Sequence, residues 1–256
     1  MASYQALLMH AIATRPKTHP VWRYNDKVSA RALAHLAGVP HPETYAQADD
    51  LDDLDPPDVP AVLKPAHGCS SRGVQLLIPN GDGTYTDPRT GCSRTWGEIQ
   101  HRARRSLTPH GTVPVQPPWL LEELVTDTDG TPACDWRMYT FGGKVEVTLQ
   151  TRADRNRWQS KWWDNQWREV GLIRPNRTMT YTPTLPPPHH PDDLLDAAAR
   201  IHAHVEAPFV RIDLYDHPTK GPMFGEITPH PGNPHKTPPF NPEWDERLGR
   251  AWEAAL

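Results

Sequence analysis

The chain has 256 residues, enough for one large domain or two to three small subdomains, and no segment approaches the ~20 apolar residues of a membrane-spanning helix. Its start lacks the basic-then-apolar order of a signal peptide, so we expect a soluble, cytoplasmic protein without a membrane partner. A net charge of −4 gives no general attraction to nucleic acid, and three cysteines without CxxC spacing predict neither disulfides nor a thiolate zinc site.

Two helices are predicted near the start of the chain. The first covers Ser3 to Ala13, with its opening serine as a possible cap. The second begins after Asn25, another possible cap, and ends at Gly38 before Pro40. Lys27 lies in its first turn, where the helix dipole does not favour a cation. From the residues alone, Lys27 is best explained as a solvated lysine.

A strand, a loop of small residues and a second strand are predicted next, after an acidic and proline-rich linker. Lys64 ends the first apolar run, His67 to Gly73 form the loop, and Val74 to Ile78 form the second run. Such a loop can bring backbone N–H groups close to phosphate oxygens, and Lys64 supplies a point charge beside it. A plain hairpin turn explains the same residues equally well.

The middle of the chain combines a helix, a strand and a hairpin. Thr95 and Glu98 are in capping-box register at the start of TWGEIQHRARRSL, which predicts a helix. The run WLLEELV predicts a strand with Glu122 and Glu123 near its end, and ACDWRMYTFGGKVEVTLQTR predicts a hairpin. Three polar residues interrupt the apolar pattern of this hairpin and belong either to its outer face or to a cleft lining: Asp135, Arg137 and Arg152.

Four tryptophans, at positions 158, 162, 163 and 167, mark the segment after this hairpin. Their spacing partly fits a helix, but Asp164 and Asn165 between Trp-rich pairs fit a short hairpin equally well. Core packing is the commoner role of such rings, and an aromatic wall for an acceptor substrate is the alternative. Two further helices are predicted, over PDDLLDAAARIHAHVEA and over PEWDERLGRAWEAAL.

The most informative segment runs from Phe209 to Pro234. The apolar runs FVRIDLYD and PMFGEIT, joined by turn residues, predict a β-hairpin with Asp213 and Glu226 on adjacent strands. An ionised carboxylate within an apolar run costs several kcal/mol unless a cation or hydrogen-bond donors compensate it. A divalent, oxygen-seeking cation such as Mg²⁺ is the simplest solution for two facing acids. The alternative is that one or both carboxylates face solvent on the outer side of the hairpin.

Taken together, these segments resemble the ATP-grasp superfamily and, more closely, its TupA-like branch. The shared motifs occur in the same order: a DK helix leading to AGVP, a VLKP strand before a small-residue loop, LLEELV, and RIDLY hairpinned to FGEIT with PG after it. The segments DWRMYTFGGKV and FVRIDLYD…MFGEITPHPG carry the resemblance to the TupA-like branch in particular. The resemblance extends from about Asn25 to the C-terminus.

The resemblance implies an α+β, ATP-grasp fold in which two α+β lobes clamp the nucleotide. The expected layout is a short N-terminal subdomain at 1–59, a small lid subdomain with the phosphate loop at 60–118, and a large C-terminal subdomain with the metal site at 119–256. ATP and Mg²⁺ are the implied cofactors, with Mn²⁺ as an alternative to Mg²⁺.

The resemblance also implies roles for individual residues. Residues expected to contact the nucleotide are Lys27, Lys64, Gly68, Ser70, Ser71, Gly73, Glu122, Glu123, Leu124, Val125 and either Asp127 or Asp129. The lysines and the loop would contact the phosphates, Glu122 to Val125 would form the hinge that holds adenine, and one of the two aspartates would bind the ribose hydroxyls. The expected metal ligands are Asp213, Glu226 and Thr228, and the expected catalytic residues are Arg211, Lys64 and Arg137. Candidate substrate contacts are Arg152, Trp162, Trp163, His230 and Asn233. Thr228 departs from the Glu-x-Asn pattern that is common in the superfamily, which puts the third metal ligand in question.

The implied activity is ATP-dependent ligation of a carboxylate to an amine through an acyl phosphate, with release of ADP and phosphate. The substrates would be small molecules, such as an amino acid, a peptide or an amino sugar, in the biosynthesis of a natural product or a cell-surface polymer. Alternatives are phosphorylation of a hydroxyl acceptor, since ATP-grasp folds also serve kinases, and nucleotide binding without turnover. The sequence leaves the oligomeric state open, with a dimer among the options.

Overall fold

The computed structural model describes residues 2–67, 72–107, 116–154, 157–171, 179–232 and 240–256. The α-helices in this part of the chain are α1 (Tyr4–Thr14), α2 (Lys27–Leu36), α3 (Trp96–Arg105), α4 (Pro191–His202) and α5 (Pro242–Ala254). Two 3-10 helices span Pro20–Asn25 and Leu51–Asp53. No helix within these ranges is both long enough and apolar enough to cross a bilayer.

The first sheet has six antiparallel strands in the order β1-β6-β2-β3-β4-β5. Its strands are β1 (Thr44–Ala48), β2 (Ala61–His67), β3 (Gln75–Pro79), β4 (Thr84–Asp87), β5 (Cys92–Thr95) and β6 (Gln116–Glu123). Helix α3 packs on this sheet through Ile99 and Ala103, which join Leu63, Leu77 and Trp119 in one buried core. The predicted strand containing Lys64 is therefore a central strand of this sheet, between β6 and β3.

The second sheet has seven strands, and six of them run in the order β10-β9-β8-β7-β12-β13. They are β7 (Asp135–Phe141), β8 (Lys144–Asp154), β9 (Arg157–Asp164), β10 (Glu169–Val170), β12 (Phe209–His217) and β13 (Gly221–Thr228). The seventh, β11 (Met179–Tyr181), pairs in parallel with β9, whereas the other strand pairs are antiparallel. The hairpins predicted for β7-β8 and β12-β13 are confirmed, and the Trp-rich segment forms the hairpin β9-β10 rather than a helix.

Helices cover both faces of the second sheet. On one face, α2 and α4 contribute Leu33 and Ile201 to a core that includes residues of β12 and β13. On the other face, Tyr4 of α1 and Trp252 of α5 pack against Phe209 at the start of β12. This combination of helices with antiparallel sheets confirms the predicted α+β fold class.

Helix capping follows the sequence with one exception. Ser3 caps α1 by accepting a hydrogen bond from the N–H of Ala6 at 3.2 Å, and the capping box predicted for α3 is present. Helix α2 is capped by Asp26 and not by Asn25, so that prediction was wrong. Asn25 is the last residue of a 3-10 helix, whereas the extended backbone of Asp26 lets its carboxylate accept from the N–H of Ser29 at 2.8 Å.

The strands of the first sheet do not all come from one of the expected subdomains. Strand β1, from the segment expected as an N-terminal subdomain, pairs with β6 in the first sheet. Strand β6 itself spans the expected boundary at residue 118. The division into 1–59, 60–118 and 119–256 stays a prediction.

Candidate functional site

Four side chains of the β12-β13 hairpin converge on one another. The Arg211 guanidinium donates hydrogen bonds to both carboxylate oxygens of Asp213, at 2.6 and 2.5 Å. Its Nη2 also donates to Oε1 of Glu226 at 3.1 Å and to Oγ1 of Thr228 at 2.9 Å. The structure thus brings together the three predicted metal ligands and the predicted catalytic arginine.

The pairing of the two strands explains this convergence. Arg211 lies opposite Thr228, and Asp213 lies opposite Glu226, in the antiparallel register. Side chains two residues apart on a strand share a face, and directly opposite residues share it too, so all four project to the same side. That face begins with Phe209, whose ring belongs to the core under α1 and α5. The cluster of Arg211, Asp213, Glu226 and Thr228 therefore lies at the edge of this core.

A β-bulge directly after Asp213 adjusts the hairpin at this point. Gly225 is the extra residue of the bulge, next to Glu226, which pairs with Asp213. A Cβ atom at position 225 would lie 2.9 Å from the carbonyl oxygen of Asp213 and 3.4 Å from the ring of Tyr215. A side chain at this position would therefore displace the backbone that carries Asp213.

Burial dominates the ionisation of Asp213. Desolvation raises the pKa of this carboxyl to about 7, against the attraction of Arg211, and the nearby charge of Glu226 adds to the increase. Glu226 has a half-exposed side chain. Desolvation acts upward on its pKa as well, but neighbouring cations, led by Arg211 and Lys27, lower it. A further cation near Asp213 would therefore stabilise the ionised form of this buried carboxylate.

This donor set suits a hard divalent cation. Asp213, Glu226 and Thr228 offer carboxylate and hydroxyl oxygens, and Mg²⁺ in proteins is bound by oxygen ligands. Over the described ranges, no three His, Cys, Asp or Glu side chains are placed to hold a metal by themselves. Mg²⁺ usually takes one or two protein carboxylates and completes its shell with water and substrate phosphates, so two carboxylates are a sufficient contribution.

Lys27 lies at the start of α2, and Lys64 lies on β2 of the first sheet. Nζ of Lys27 lies 3.4 Å from the carbonyl oxygen of Ala66, near the end of β2. Burial lowers the pKa of Lys27 and the charge of Lys64 lowers it further, whereas Glu226 and Glu122 act in the opposite direction. Lys27 is therefore within electrostatic range of both the second lysine and the acid on β13. Lys27 is thus the residue through which the second lysine and the acid pair are connected electrostatically.

Glu122 lies at the centre of a buried ion-pair group. Its carboxylate contacts Nζ of Lys64 at 2.9 Å and also the guanidinium of Arg31 from α2. Burial acts to raise the pKa of Glu122, but Lys64 and Arg31 outweigh it and the pKa is lowered. The side chain expected beside adenine thus points to a lysine and an arginine. Arg31 is absent from the sequence motifs, although it follows Lys27 by four residues and so shares its helix face.

The next hinge residues lie directly after this group. Glu123 pairs with Lys220, in the turn between β12 and β13, at 2.5 Å. Leu124 and Val125 are buried. The N–H of Leu124 donates to the carbonyl of Pro60 at 3.2 Å, and the Val125 carbonyl accepts a hydrogen bond at 2.9 Å. These contacts fix the chain where it leaves the first sheet for the second.

Asp127 and Asp129, the alternatives for the ribose, have different surroundings. Asp127 Oδ1 lies 3.0 Å from Nε2 of His189, whereas the exposed Asp129 accepts from the N–H of Thr131 in its own turn at 2.9 Å. Asp129 and Arg152 line a cleft of ≈ 350 Å³ between the two sheets. Arg152, predicted as a substrate contact, is therefore close to Asp129 in this cleft.

Arg137 and Tyr215 flank Asp213. Arg137 donates to Asp135 at 3.0 Å, and its Nε lies 3.9 Å from the nearer oxygen of Asp213. Burial raises the pKa of the Tyr215 phenol well above its usual value, with further contributions from Asp135 and Glu122. Because Glu122 belongs to the first sheet, Tyr215 lies between the sheets. Tyr215 is the last residue of the RIDLY motif, but no role is predicted for it, although its position two residues after Asp213 puts both on one strand face.

Trp162 and Trp163 project to opposite faces of the second sheet and are buried in different cores, with 2% and 6% of their surfaces exposed. Nε1 of Trp163 donates to Gln150 at 2.9 Å, and Trp162 packs edge-on against Phe240. Rings with so little free surface cannot form the wall of a substrate site. Trp162 and Trp163 therefore pack in the core, which is the commoner role considered for this segment, and do not form an aromatic wall for a substrate.

Four of the predicted contact residues lie outside the described residues: Gly68, Ser70, Ser71 and Asn233. Gly73 ends the same loop with a φ of +77°. A Cβ atom at this position would lie 2.7 Å from the hydroxyl of Ser106 and 3.2 Å from Pro65. Both the left-handed backbone and the close neighbours therefore require glycine here.

His230, the last predicted substrate contact, lies against the N-terminal segment. Its Nε2 is 3.3 Å from Nη1 of Arg15, and its ring centroid is 4.6 Å from that of Trp22 in an edge-to-face contact. Burial, with a contribution from Arg15, lowers the pKa of His230 to about 4. Arg15 and Trp22 are further residues near the site that no sequence motif identifies.

Comparison with known proteins agrees with this fold. The sequence matches the TupA-like ATPgrasp family over residues 7–253. No curated protein sequence matches the chain. Among solved structures, the ATP-grasp ligase PsnB complexed with minimal precursor has a TM-score of 0.51 at 14% identity, over 98% of this chain and 69% of that chain.

Two D-alanine–D-alanine ligases are similarly close in structure. The enzyme from Helicobacter pylori has a TM-score of 0.51 at 11% identity, over 91% of this chain and 61% of that chain. The enzyme from Bacillus anthracis complexed with ATP has a TM-score of 0.52 at 12% identity, over 91% of this chain and 64% of that chain. This chain thus spans about two thirds of the length of these three structures. Because the family match covers nearly all of the sequence and the ATP-grasp fold agrees with it, the chain belongs to the TupA-like ATP-grasp family.

Proposed function

We propose that this protein is an ATP-dependent carboxylate–amine ligase that forms an amide or peptide bond and releases ADP and phosphate. The observation that carries the proposal is the cluster of Arg211, Asp213 and Glu226 on one hairpin, with Lys27 within electrostatic range of both Glu226 and Lys64. Membership of the ATP-grasp superfamily, whose similar structures include ligases, supports it. The substrates are a small-molecule acid and an amine, such as an amino acid, a peptide or an amino sugar.

The first chemical step brings two anions together, because a substrate carboxylate must attack the γ-phosphate of ATP. In our proposal, Lys27 and Lys64 bind the phosphate oxygens and offset this repulsion. Arg211 orients the attacking carboxylate, since its planar guanidinium matches two carboxylate oxygens at once. The bond formed joins the carboxylate to phosphorus, and ADP leaves.

Asp213, Glu226 and Thr228 are the residues that would hold Mg²⁺, which when bound neutralises phosphate charge and polarises the transferring group. In the second step an amine attacks the acyl phosphate, and the carbonyl oxygen gains negative charge. Arg211 stabilises that oxyanion, and collapse of the intermediate expels phosphate and leaves the amide. Arg211 can serve both steps because it contacts Asp213 and Glu226, the proposed metal ligands, directly.

A hydroxylamine trap tests the proposal. The protein is incubated with ATP, Mg²⁺, a broad panel of carboxylic acids and hydroxylamine, and ADP, phosphate and hydroxamate are measured. We expect all three products with at least one acid, loss of activity in Arg211→Lys, and unchanged activity in Arg247→Lys, a partly exposed surface arginine. A complete lack of ADP and hydroxamate would contradict a ligase. A stable phosphorylated acceptor without free phosphate would instead identify a kinase.

A further inference from the structure

Arg15 is a half-buried cation without an acidic partner among the described residues. It is the C-cap residue of α1, and its side chain donates to Nε2 of His230 at 3.3 Å. Burial lowers the pKa of Arg15. The side chain is thus partly removed from water without receiving the negative charge that would compensate it.

Several other partly buried arginines, though not all, have an acidic partner in the described part of the chain. Four of them each contact at least one carboxylate: Arg31, Arg89, Arg137 and Arg211. The imidazole of His230 is no substitute for a carboxylate, because a histidine ring carries no negative charge in either protonation state. A guanidinium that is desolvated and unpaired is stabilised by an anionic ligand, and its fork of donors matches a carboxylate.

Arg15 also lies close to the reaction site. His230 follows Thr228 by two residues, so their Cα atoms are at most ~7.6 Å apart. Thr228 in turn accepts a hydrogen bond from Arg211 at 2.9 Å. The 3-10 helix Pro20–Asn25, which carries Trp22, packs on β13, and Trp22 contacts the His230 ring edge-on. Arg15, Trp22 and His230, here called the Arg15 cluster, therefore adjoin the end of the strand that carries the acids.

We infer that the Arg15 cluster binds a carboxylate group of the substrate other than the one that becomes activated. The substrate of the first step would then be a dicarboxylate or an acidic amino acid: one carboxylate lies at Arg211, and the second is held by the guanidinium of Arg15. Trp22 supplies an apolar wall for the carbon atoms between them. This inference rests on the proposed ligase function and names the class of acid that it uses.

Binding measurements with matched acids test the Arg15 cluster. The protein is first saturated with Mg²⁺ and a non-hydrolysable ATP analogue, and this binding is recorded. Succinate, glutarate and L-glutamate are then titrated, each against its monoamide: succinamate, glutaramate and L-glutamine. We expect at least one dicarboxylate to bind the unchanged protein at least tenfold more tightly than its monoamide. In Arg15→Ala this preference should disappear, while affinity for the nucleotide stays the same.

Two further variants separate recognition from folding and from general charge. Arg15→Lys keeps the positive charge but lacks the fork of donors, so it should retain only part of the preference. Lys17→Ala removes an exposed charge two residues away and should behave like the unchanged protein. Circular dichroism of each variant establishes that it is folded.

The outcomes distinguish this inference from the ligase proposal. Equal dicarboxylate affinity in the unchanged protein and Arg15→Ala would overturn the role of Arg15, as would the absence of any preference for a dicarboxylate over its monoamide. In both cases normal nucleotide binding leaves the ligase proposal standing. Failure to bind Mg²⁺ and the nucleotide, which is measured before any acid is added, would count against the ligase proposal itself.

Discussion

Arg211 neutralises a pair of carboxylates that a divalent cation would also neutralise. Its bidentate contact with Asp213 and its single hydrogen bond to Glu226 use the oxygens that a metal would need. A cation held there would compete with the guanidinium, and its binding would free Arg211 to contact a substrate oxyanion. Because these residues share one network, substitutions of Asp213, Glu226 and Arg211 should not be additive.

Glu226→Gln tests the metal site with little risk to the fold, because the side chain is half-exposed. The substitution keeps the shape of the side chain and removes one negative charge. We expect the affinity for ATP in the presence of Mg²⁺ to fall by about tenfold or more, since even residues that only orient metal ligands typically contribute 10–100-fold. Calorimetric titration with and without Mg²⁺ measures this. Glu243→Gln, at an exposed position of α5, serves as the control. If Glu226→Gln binds ATP with Mg²⁺ as tightly as the unchanged protein does, Glu226 is not a metal ligand.

Glu122→Gln tests the buried ion-pair group. Removal of one partner from a buried pair typically costs 3–5 kcal/mol, because the other charge stays buried and uncompensated. Here Lys64 and Arg31 would both lose their common carboxylate. We expect the free energy of unfolding in a urea titration to fall by about 3 kcal/mol.

The neighbouring substitution Glu123→Gln is a matched control for Glu122→Gln. Glu123 is largely buried, but its partner Lys220 is half-exposed and stays hydrated when the pair is broken, so we expect a clearly smaller loss than for Glu122→Gln, close to the ~1 kcal/mol upper value of exposed pairs. A loss as large as that of Glu122→Gln would show that the position in β6, and not the burial of the pair, determines the cost.

Single residues of the site differ in how far they could be predicted from the sequence. Asp213 and Glu226 were evident because charges are rare within apolar strands. Arg31 has ordinary neighbours in the sequence and Tyr215 ends the RIDLY motif without a predicted role, so the relevance of both comes from their surroundings in the fold. Arg31 meets Glu122 across 91 residues of chain, and the order of the strands, which no local pattern encodes, brings them together.

Among the secondary-structure elements, those with strong local signals were predicted correctly. The capping box of α3 and the turn between β7 and β8 are both encoded within a few residues. Strands β1, β4, β5 and β11 were not predicted, because they are short and contain few apolar residues. Strands β1, β4 and β11 form by pairing with β6, β3 and β9, and β5 forms by pairing with β4, so all four depend on partners placed by the rest of the fold.

Gly225→Ala tests whether the bulge in β12-β13 positions the acids. The new Cβ atom would lie 2.9 Å from the carbonyl oxygen of Asp213, so one strand must move. We expect a loss of about 1–3 kcal/mol in the free energy of unfolding, as for other overpacked sites, together with weaker binding of Mg²⁺ and ATP. Thermal unfolding with and without the nucleotide measures both effects.

Gly97→Ala provides the control for the bulge, because a Cβ atom at that position in α3 meets nothing within 4 Å. Alanine is preferred to glycine in a helix by about 1 kcal/mol, so this variant should be as stable as the unchanged protein or more so. Normal nucleotide affinity in Gly225→Ala would show that the acids do not depend on the bulge.

For the whole molecule, the site lies where the two sheets face each other. Helix α2 belongs to the core of the second sheet, yet its Arg31 reaches Glu122 on β6 of the first. The turn of the β12-β13 hairpin reaches the same strand through Lys220 and Glu123. Each sheet therefore contributes charged groups to the region where the two sheets meet. The motifs of the sequence identify Glu122 and Glu123 but not their partners Arg31 and Lys220, which come close only when the sheets pack.

The stability of the whole molecule should depend on pH through His202, which is 5% exposed at the end of α4. Its Nδ1 lies 2.8 Å from the hydroxyl of Thr140 on β7. Burial lowers the pKa of His202 to about 4, with partial opposition from a hydrogen bond to the backbone of Ala207. In the unfolded chain the pKa of histidine is about 6.5.

Above about pH 6.5 the ring is neutral in both states, so His202 makes no difference to the pH dependence there. Between about pH 6.5 and pH 4 the unfolded chain binds a proton that the folded chain does not, and the free energy of unfolding falls as pH falls, by up to about 3 kcal/mol. Urea titrations at several pH values measure this slope.

Carboxylates contribute to it too, so the comparison is with His202→Gln, which keeps a hydrogen-bond donor for Thr140 and should show a shallower slope. His101→Gln, at an exposed position, should keep the original slope. If His202→Gln keeps it as well, His202 is not buried in its neutral form.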